Sequence, residues 1–438
     1  MLLALAVYTD FLPRNIWALE RKWWVCALLL CASTINYMDR VTLAAVSRRV
    51  IEEFSLSKEQ YGTIEQYFGY AFAFGAIFFG ILVDRVSARW LYPVVLVCWS
   101  AAGICTGLAG VAGPAFSTLL ICRTALGWFE SGHWPCALQT TQRLLEPKDR
   151  ALGNSLLQSG VSIGAIVTPV IIGAMLTGAP GSWRMPFVVI GAIGMLWVVA
   201  WVFTMRGETL PAPGPAAATA LPWRSGLAAL LRDHRFWILA FTVSAINVTW
   251  HIFRVWLPLV FQDKRGLSFT EAETLNRILP GYYIMTDLGC LAAGAATVWL
   301  HRRGWSVLNS RRSVFTVCAL LMMLAMFVPA LSRGELAIPG LSARAAAIGV
   351  MMLVAAGSLG VFPCYYAFSQ ELSSQQIGLV TGLLSFVAWI SSSSLHKPLG
   401  AHVDRTGSYD VAFLLGAWPA ILAAGLLWAF WGKDREAA

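Results

Sequence analysis

The chain has 438 residues, is 58% hydrophobic and 13% charged, and has a mean hydropathy of +0.65 and a formal charge of +9. A soluble domain carries roughly a quarter charged residues, so this composition excludes an ordinary globular protein and indicates a polytopic membrane protein. The basic surplus is no sign of nucleic-acid binding, because Lys and Arg gather in the loops between apolar runs, where they orient a chain in the bilayer.

Residues 1–22 open the chain with an apolar stretch, MLLALAVYTDFL, that lacks a basic start and a small-residue cleavage site. They read as a cytoplasmic or interfacial leader and not as a signal peptide. Apolar runs near the 20-residue length that crosses a bilayer follow at about 23–46, 60–83, 91–112, 115–143, 151–178 and 184–205. Residues 206–233 form a polar connector containing LPAPGPAAATALP, where proline and glycine oppose helix. Six more runs lie at about 234–261, 277–300, 313–331, 344–370, 376–400 and 409–432, before a short tail, 433–438. The expected fold is all-α: 12 transmembrane helices in two six-helix bundles, 23–205 and 234–432.

Loop charge sets the orientation. Placing both termini and the connector on one side collects eighteen Lys and Arg there against ten opposite, with Arg40, Arg123, Arg254 and Lys397 inside spans. The positive-inside rule then puts both termini in the cytoplasm. The nine cysteines all fall within spans, with no CxxC pair and no His-rich cluster, so neither a disulfide framework nor a metal site is expected. The halves also share a weak repeat. A glycine and a basic loop follow the second span (GILVDRVSARW) and the eighth (GAATVWLHRRGWSVLNSRR). Repeated halves with a site at their midplane are a common transporter plan.

Four ionisable residues stand out within the first-half spans. Asp39 and Arg40 end an otherwise uncharged run, and Arg123 and Glu130 share another. A charge at the bilayer centre costs about 2.5–3.5 kcal/mol on insertion scales, so such residues suggest a polar site. Arg123 and Glu130 are seven apart, hence on one helical face and about 10.5 Å apart along its axis. Gly127 and His133 share that side. Asp39 and Arg40, as neighbours, point about 100° apart and need not pair. The functional reading is a cation for a carboxylate substrate beside protonatable acids; the structural alternative is an ion pair bridging helices one and four. In the second half, Asn247, His251, Arg254 and Pro258 fall on one stripe, and Arg254 could complete an anion site or only pack. Asp287 could pair with Arg254 or be structural. The polar run SSSSLHKPLG brings Ser391, His396 and Lys397 to span eleven, where Lys397 could also snorkel. Gln158, Asn154, Ser159, Tyr365, Tyr366 and Gln370 are further polar candidates.

The segment Gly80–Arg89 resembles the signature loop of the major facilitator superfamily, with Gly80, Asp84, Arg85 and Arg89 in place and Ser87 where a glycine is usual. That resemblance implies a cytoplasmic gate. INYMDR (35–40), RTALGWFESGHWP (123–135), RALGNSLLQSGVSIGAIVTP (150–169) and VDRTGSYDVAF (403–413) resemble the anion:cation symporter family, whose members carry organic anions such as hexuronates and aldonates. The resemblance implies that Asp39 and Glu130 take up the coupled protons, that Arg40 contacts substrate, and that Arg123 is tied to these acids. Tyr37 joins the candidate substrate contacts. Phe72 stands where many relatives have a tyrosine, a departure from the family pattern.

The sequence therefore predicts a non-enzymatic secondary transporter, a proton-coupled symporter of an organic anion such as a sugar acid, working by rocker-switch alternating access. It would need no cofactor beyond H+ and would act as a monomer in a bacterial inner membrane. A proton-driven exporter is the main rival, because span five carries Gly160, Gly164, Gly173 and Pro169. Two intramembrane arginines disfavour a cationic cargo. A non-transporting sensor would need an output domain, and no loop exceeds about 30 residues.

Overall fold

A computed structural model describes residues 21–83, 86–111, 113–144, 150–206, 223–263, 269–372 and 377–432. The first half contains α1 (Arg21–Phe54), α2 (Lys58–Val83), α3 (Ala88–Gly107), α4 (Ala115–Glu130), α5 (His133–Leu144), α6 (Arg150–Met175) and α7 (Arg184–Thr204). A short helix, α8 (Trp223–Arg232), precedes the second half. That half contains α9 (His234–Gln262), α10 (Leu279–Arg302), α11 (Val307–Met323), α12 (Ala343–Leu372), α13 (Ile377–Ser393), α14 (His396–Thr406) and α15 (Asp410–Phe430). Among the described residues, nine helices are long and apolar enough to cross a membrane by length and composition. The other three spans are α1, whose middle is diluted by Asn36, Asp39 and Arg40, and two that are each built from a pair of shorter helices.

Those broken spans are the main departure from the sequence expectation. The fourth stops at Glu130, where Ser131 Oγ turns back to the Trp128 carbonyl, and resumes at His133. The eleventh stops at Ser393, and α14 then runs to Thr406, beyond the expected end. The first span is longer than its apolar run. α1 continues fourteen residues past Arg40, so Asp39 and Arg40 lie in mid-helix and not at its end. At 1.5 Å per residue a 34-residue helix is roughly 51 Å long, well beyond a bilayer core of about 30 Å. The end of the connector is helical, as α8, where the sequence predicted a polar connector without helix.

Within the first half α1 packs on α6 and α7, and α2 and α3 pack on α4; within the second, α10 and α11 pack on α12, and α9 on α13 and α15. The halves meet where α2 crosses α13 and α14, where α1 meets α9, and where α6 meets α10. Burial is uneven along these contacts. One apolar cluster, with Val46, Leu119, Trp256, Tyr282 and Leu399, draws on both halves on the side where α1 ends and α2 begins. On the opposite side, where α1 begins and α15 ends, the clusters divide by half: one around Trp197 and Trp201 takes in only Trp389, with Phe386 and Ile390 against it, from the second half, and the other lies around Phe315 and Phe368. The halves are thus joined at the α1–α2 loop face and have largely separate cores toward the termini face.

Polar contacts reinforce the closed face. Arg49 binds Glu271 at 2.5 Å and also donates to the Thr177 carbonyl and Ser182 Oγ. Arg48 donates to the Gln262 carbonyl. The Asp404 carboxylate accepts from the backbone N–H groups of Lys58 and Glu59, capping α2 across the boundary between halves. A free helix N-terminus carries orphan donors and partial positive charge, so a carboxylate there is favourable.

Candidate functional site

The chemistry concentrates where the closed face ends, in mid-molecule. Arg40 on α1, Arg123 on α4 and Arg254 on α9 converge there, all buried, together with the buried carboxylates Asp39, Glu65 and Glu130. Arg40 Nε donates to Glu130 Oε2 at 2.9 Å, and Arg123 Nη2 donates to Glu65 Oε1 at 2.9 Å. Arg254 Nη2 lies 3.6 Å from Glu65 Oε2, and its Nη1 donates to the Arg40 carbonyl at 3.1 Å. Arg123 Nη1 reaches the Asp39 carbonyl at 3.4 Å. One network therefore links α1, α2, α4 and α9, with members from both halves. Unpaired buried charge is expensive, and here Glu130 pairs with Arg40 while Glu65 lies between Arg123 and Arg254.

Local sequence explains the alignment. Gly127 lets α4 press against α2: a Cβ there would lie 2.2 Å from the Phe68 carbonyl oxygen. That contact sets Arg123, one turn earlier on α4, against the α2 turn that bears Glu65, and the Arg123 guanidinium stacks on Phe68 at 4.5 Å. Asp39 faces away from Arg40, toward α3; a Cβ on Gly103 would sit 3.2 Å from its Oδ1. Arg40 instead enters an aromatic wall shared by the two halves, 4.5 Å from the Phe72 ring, 5.5 Å from Trp389 and 5.9 Å from Tyr37. Phe72 and Trp389 stack at 4.3 Å, and His251 lies 4.2 Å from Trp389. An Arg over aromatic faces gains cation–π attraction and keeps its outer nitrogens free for a planar anion.

Several buried polar atoms of this region make no hydrogen bond: Asn36 Nδ2, Asp39 Oδ2, Arg40 Nη2, Glu130 Oε1, His251 Nδ1 and Arg254 Nε. Buried polar groups are normally satisfied, so such a cluster marks a place built for polar groups of a ligand or for protons. Asn36 stands one helical turn from Arg40, on the same side of α1.

Other sequence candidates stand apart from the network. His133 is a core residue, bonded to Ser33 Oγ at 3.0 Å and Tyr92 OH at 2.7 Å. Gln158 is exposed on α6, one turn from Ser162, whose hydroxyl donates to Asp287 Oδ1 at 2.8 Å across the halves. Tyr365 is buried within the second-half core beside Tyr366. Ser391 bonds back to the Val387 and Ala388 carbonyls of its own helix. Lys397 is exposed at the closed face, 3.7 Å from Glu59, while His396 accepts from the Trp256 indole at 3.2 Å. Lys397 also borders a groove of about 690 Å³ with Ser55, Gln60, Thr63 and Tyr67, whose lining includes none of the three arginines. In the signature loop, Gly80 ends near the termini face and Arg89 lies 5.0 Å over Trp90; Asp84 and Arg85 fall outside the described residues. The side chains of Asn154 and Gln370 also fall outside them.

Sequence reasoning missed Glu65, although a carboxylate inside the second span was visible and the cost of burying it was the signal. It also missed Gln139. Its amide donates to the Val83 carbonyl and accepts from Ala88 N, clamping both ends of the signature loop.

Residues 29–395 match the family pattern of the Major Facilitator Superfamily. The chain is similar to a hexuronate transporter of Bacillus subtilis (strain 168), 27% identical over 91% of this chain and 92% of that one. It is 23% identical to a hexuronate transporter of Escherichia coli (strain K12), covering 93% of each, and 24% identical to a probable L-galactonate transporter of the same strain, over 91% and 86%. Among solved structures, a bacterial homolog of the human lysosomal transporter Spinster, inward-facing and occupied, superposes with a TM-score of 0.73 at 16% identity. That match covers 94% of this chain and 97% of the other. A D-xylose-proton symporter also gives 0.73, at 12% identity over 94% and 98%.

Proposed function

Because the chain belongs to the Major Facilitator Superfamily, we propose that it is a secondary active transporter that carries a sugar acid, a hexuronate or aldonate, together with protons. The observation that carries this reading is the convergence of Arg40, Arg123 and Arg254, from both halves, in one buried network. Relatives named for hexuronate and galactonate transport support the cargo class. A guanidinium keeps its charge at any physiological pH and presents a planar fork that suits a carboxylate. Arg40 is the favoured holder, since its Nη2 is uncommitted and its plane is set by Phe72 and Trp389. The free nitrogens of Asn36 and His251 suit the hydroxyls of a polyol chain.

Coupling follows from the same charges. When a substrate anion takes Arg40, Glu130 loses its partner in a site shielded from water, and ionised carboxylate there is costly. Binding a proton removes that cost, so substrate and proton load together. The two halves then rock about the site. Joined at the α1–α2 loop face and with largely separate cores toward the other, this conformation corresponds to the inward-facing state if the basic, termini-bearing side is cytoplasmic.

Uptake of D-glucuronate, D-galacturonate and D-gluconate into proteoliposomes tests the reading. An inside-alkaline gradient should drive accumulation of at least one of them, and a protonophore should abolish it. Transport of neutral sugars or cations in preference to all three acids would refute the cargo class. Accumulation indifferent to the proton gradient would refute the coupling.

A further inference from the structure

Glu65 is the carboxylate that Arg254 meets across the boundary between the halves. It is fully buried, with Oε1 2.9 Å from Arg123 Nη2 and Oε2 3.6 Å from Arg254 Nη2. Oε2 makes no hydrogen bond. Glu130, by contrast, is held by Arg40 within the first half, since α1 and α4 belong to one bundle. That pair survives any rigid rocking of the halves. The Glu65–Arg254 contact joins α2 to α9 across the boundary, so opening the closed face must break it.

We propose that Glu65 is a resident counter-ion that yields Arg254 to the substrate's carboxylate, which Arg254 then shares with Arg40, and takes up a proton when it does. The proposal rests on the sugar-acid reading above and assigns one of its protons. A monoanion that takes Arg254 adds one negative charge beside Glu65, and one proton on Glu65 offsets it. The groups that face Glu65 are Arg123 from α4, Arg254 from α9 and His396 from α14, with Tyr61 one turn away on its own helix. Once substrate holds Arg254, the closed face can re-form only around a neutral Glu65. With no substrate, ionised Glu65 returns to Arg254 and the empty carrier closes without a proton. Loaded with both or with neither, the carrier cycles; loaded with one, it stalls. That is the selection rule of a symporter.

The test measures D-glucuronate binding to the purified full chain between pH 6 and 8, with proton uptake read by a dye in lightly buffered solution; D-galacturonate and D-gluconate run in parallel. The wild type should take up protons with the anion, its Kd weakening as the pH rises. Glu65→Gln should take up about one proton fewer per anion, lose about tenfold per pH unit from that slope, and bind at least tenfold tighter at pH 8. Glu65→Asp keeps the charge on a shorter stem, so it should retain proton uptake but bind more tightly at pH 8 as its grip on Arg254 loosens. Unchanged proton uptake and pH slope in Glu65→Gln would overturn the role of Glu65 while leaving anion binding intact. If that variant does not fold, an unchanged affinity in Glu65→Asp, or a wild type that binds without a proton, would overturn it equally. A wild type that binds none of the three acids would instead remove the sugar-acid reading on which the proposal stands.

Discussion

Replacing Gly62 by alanine should push the halves apart at the closed face. Gly62 of α2 lies against the backbone of α14, and a Cβ added there would sit 2.2 Å from the His396 carbonyl oxygen and 3.1 Å from Lys397 Cα. Gly400 makes the reciprocal contact, 2.1 Å from the Lys58 carbonyl oxygen. An ordinary contact begins near 3.4 Å, so α2 and α14 must separate by about 1.2 Å, the difference between 3.4 and 2.2. Neither obstacle is a flexible side chain, and the displacement also pulls the α2 N-terminus from Asp404. Overpacking of this kind costs about 1–3 kcal/mol. The penalty falls on the loop-face-closed state alone, so the equilibrium between states should shift by about 5- to 150-fold toward the conformation open at that face. Spin labels at Ser55 and Thr406, read by pulsed electron resonance, report the separation. Gly62→Ala should move the main distance population outward by several ångströms, and Gly400→Ala should do the same. An unchanged distribution in both variants, with normal folding and uptake, would refute the argument that glycine contact holds this face closed.

Four other outcomes follow from the same geometry. Glu130→Gln should preserve substrate exchange but abolish proton-driven accumulation in proteoliposomes; full accumulation would remove Glu130 from the coupling. Arg123→Leu leaves Glu65 with only its 3.6 Å contact to Arg254 and should lower stability by up to about 3–5 kcal/mol, seen as a lower melting temperature; adding Glu65→Gln should recover part of that loss. Glu271→Gln weakens the half-exposed pair with Arg49, which is about a quarter accessible on both sides, so a loss of about 1 kcal/mol or less from the closed face is expected in the same spin-label assay. Gln139→Leu leaves the Val83 carbonyl and the Ala88 N–H unpaired beside the signature loop and should lower stability by about 1–3 kcal/mol, with faster proteolysis between residues 84 and 87.

Much of the architecture was legible because the bilayer imposes a simple rule. Backbone groups in hydrocarbon must bond within their own helix, so spans appear as apolar runs near 20 residues. The rule reads hydropathy and not geometry, which explains the misplaced ends. α1 outruns its apolar stretch because α1 packs against α9 and its last turns meet Gln262 and the helical residue Glu271 of the second half. The breaks at Ser131–Gly132 and Ser394–Leu395 carry no charge and little loss of hydropathy, so nothing in the composition announced them.

The candidate site divides in the same way. Asp39, Arg40, Arg123 and Glu130 were visible as charges where charge is expensive, and that cost is a property of sequence alone. One pairing was offered, an ion pair bridging helices one and four, and Arg40 and Glu130 make it; the partner of Arg123, Glu65, was not. Glu65 lies near the start of its span, where a carboxylate can also sit at the interface, and only the crossing of α2 with α4 and α9 buries it. Trp389, which walls Arg40 from the opposite half, stands some 350 residues away along the chain. The sequence by itself determined a twelve-helix membrane protein with costly intramembrane charges. The tertiary structure alone decided which acid meets which arginine and which of those pairs crosses between the halves. Ion pairing depends on distances of a few ångströms between different helices, and hydropathy carries no record of them.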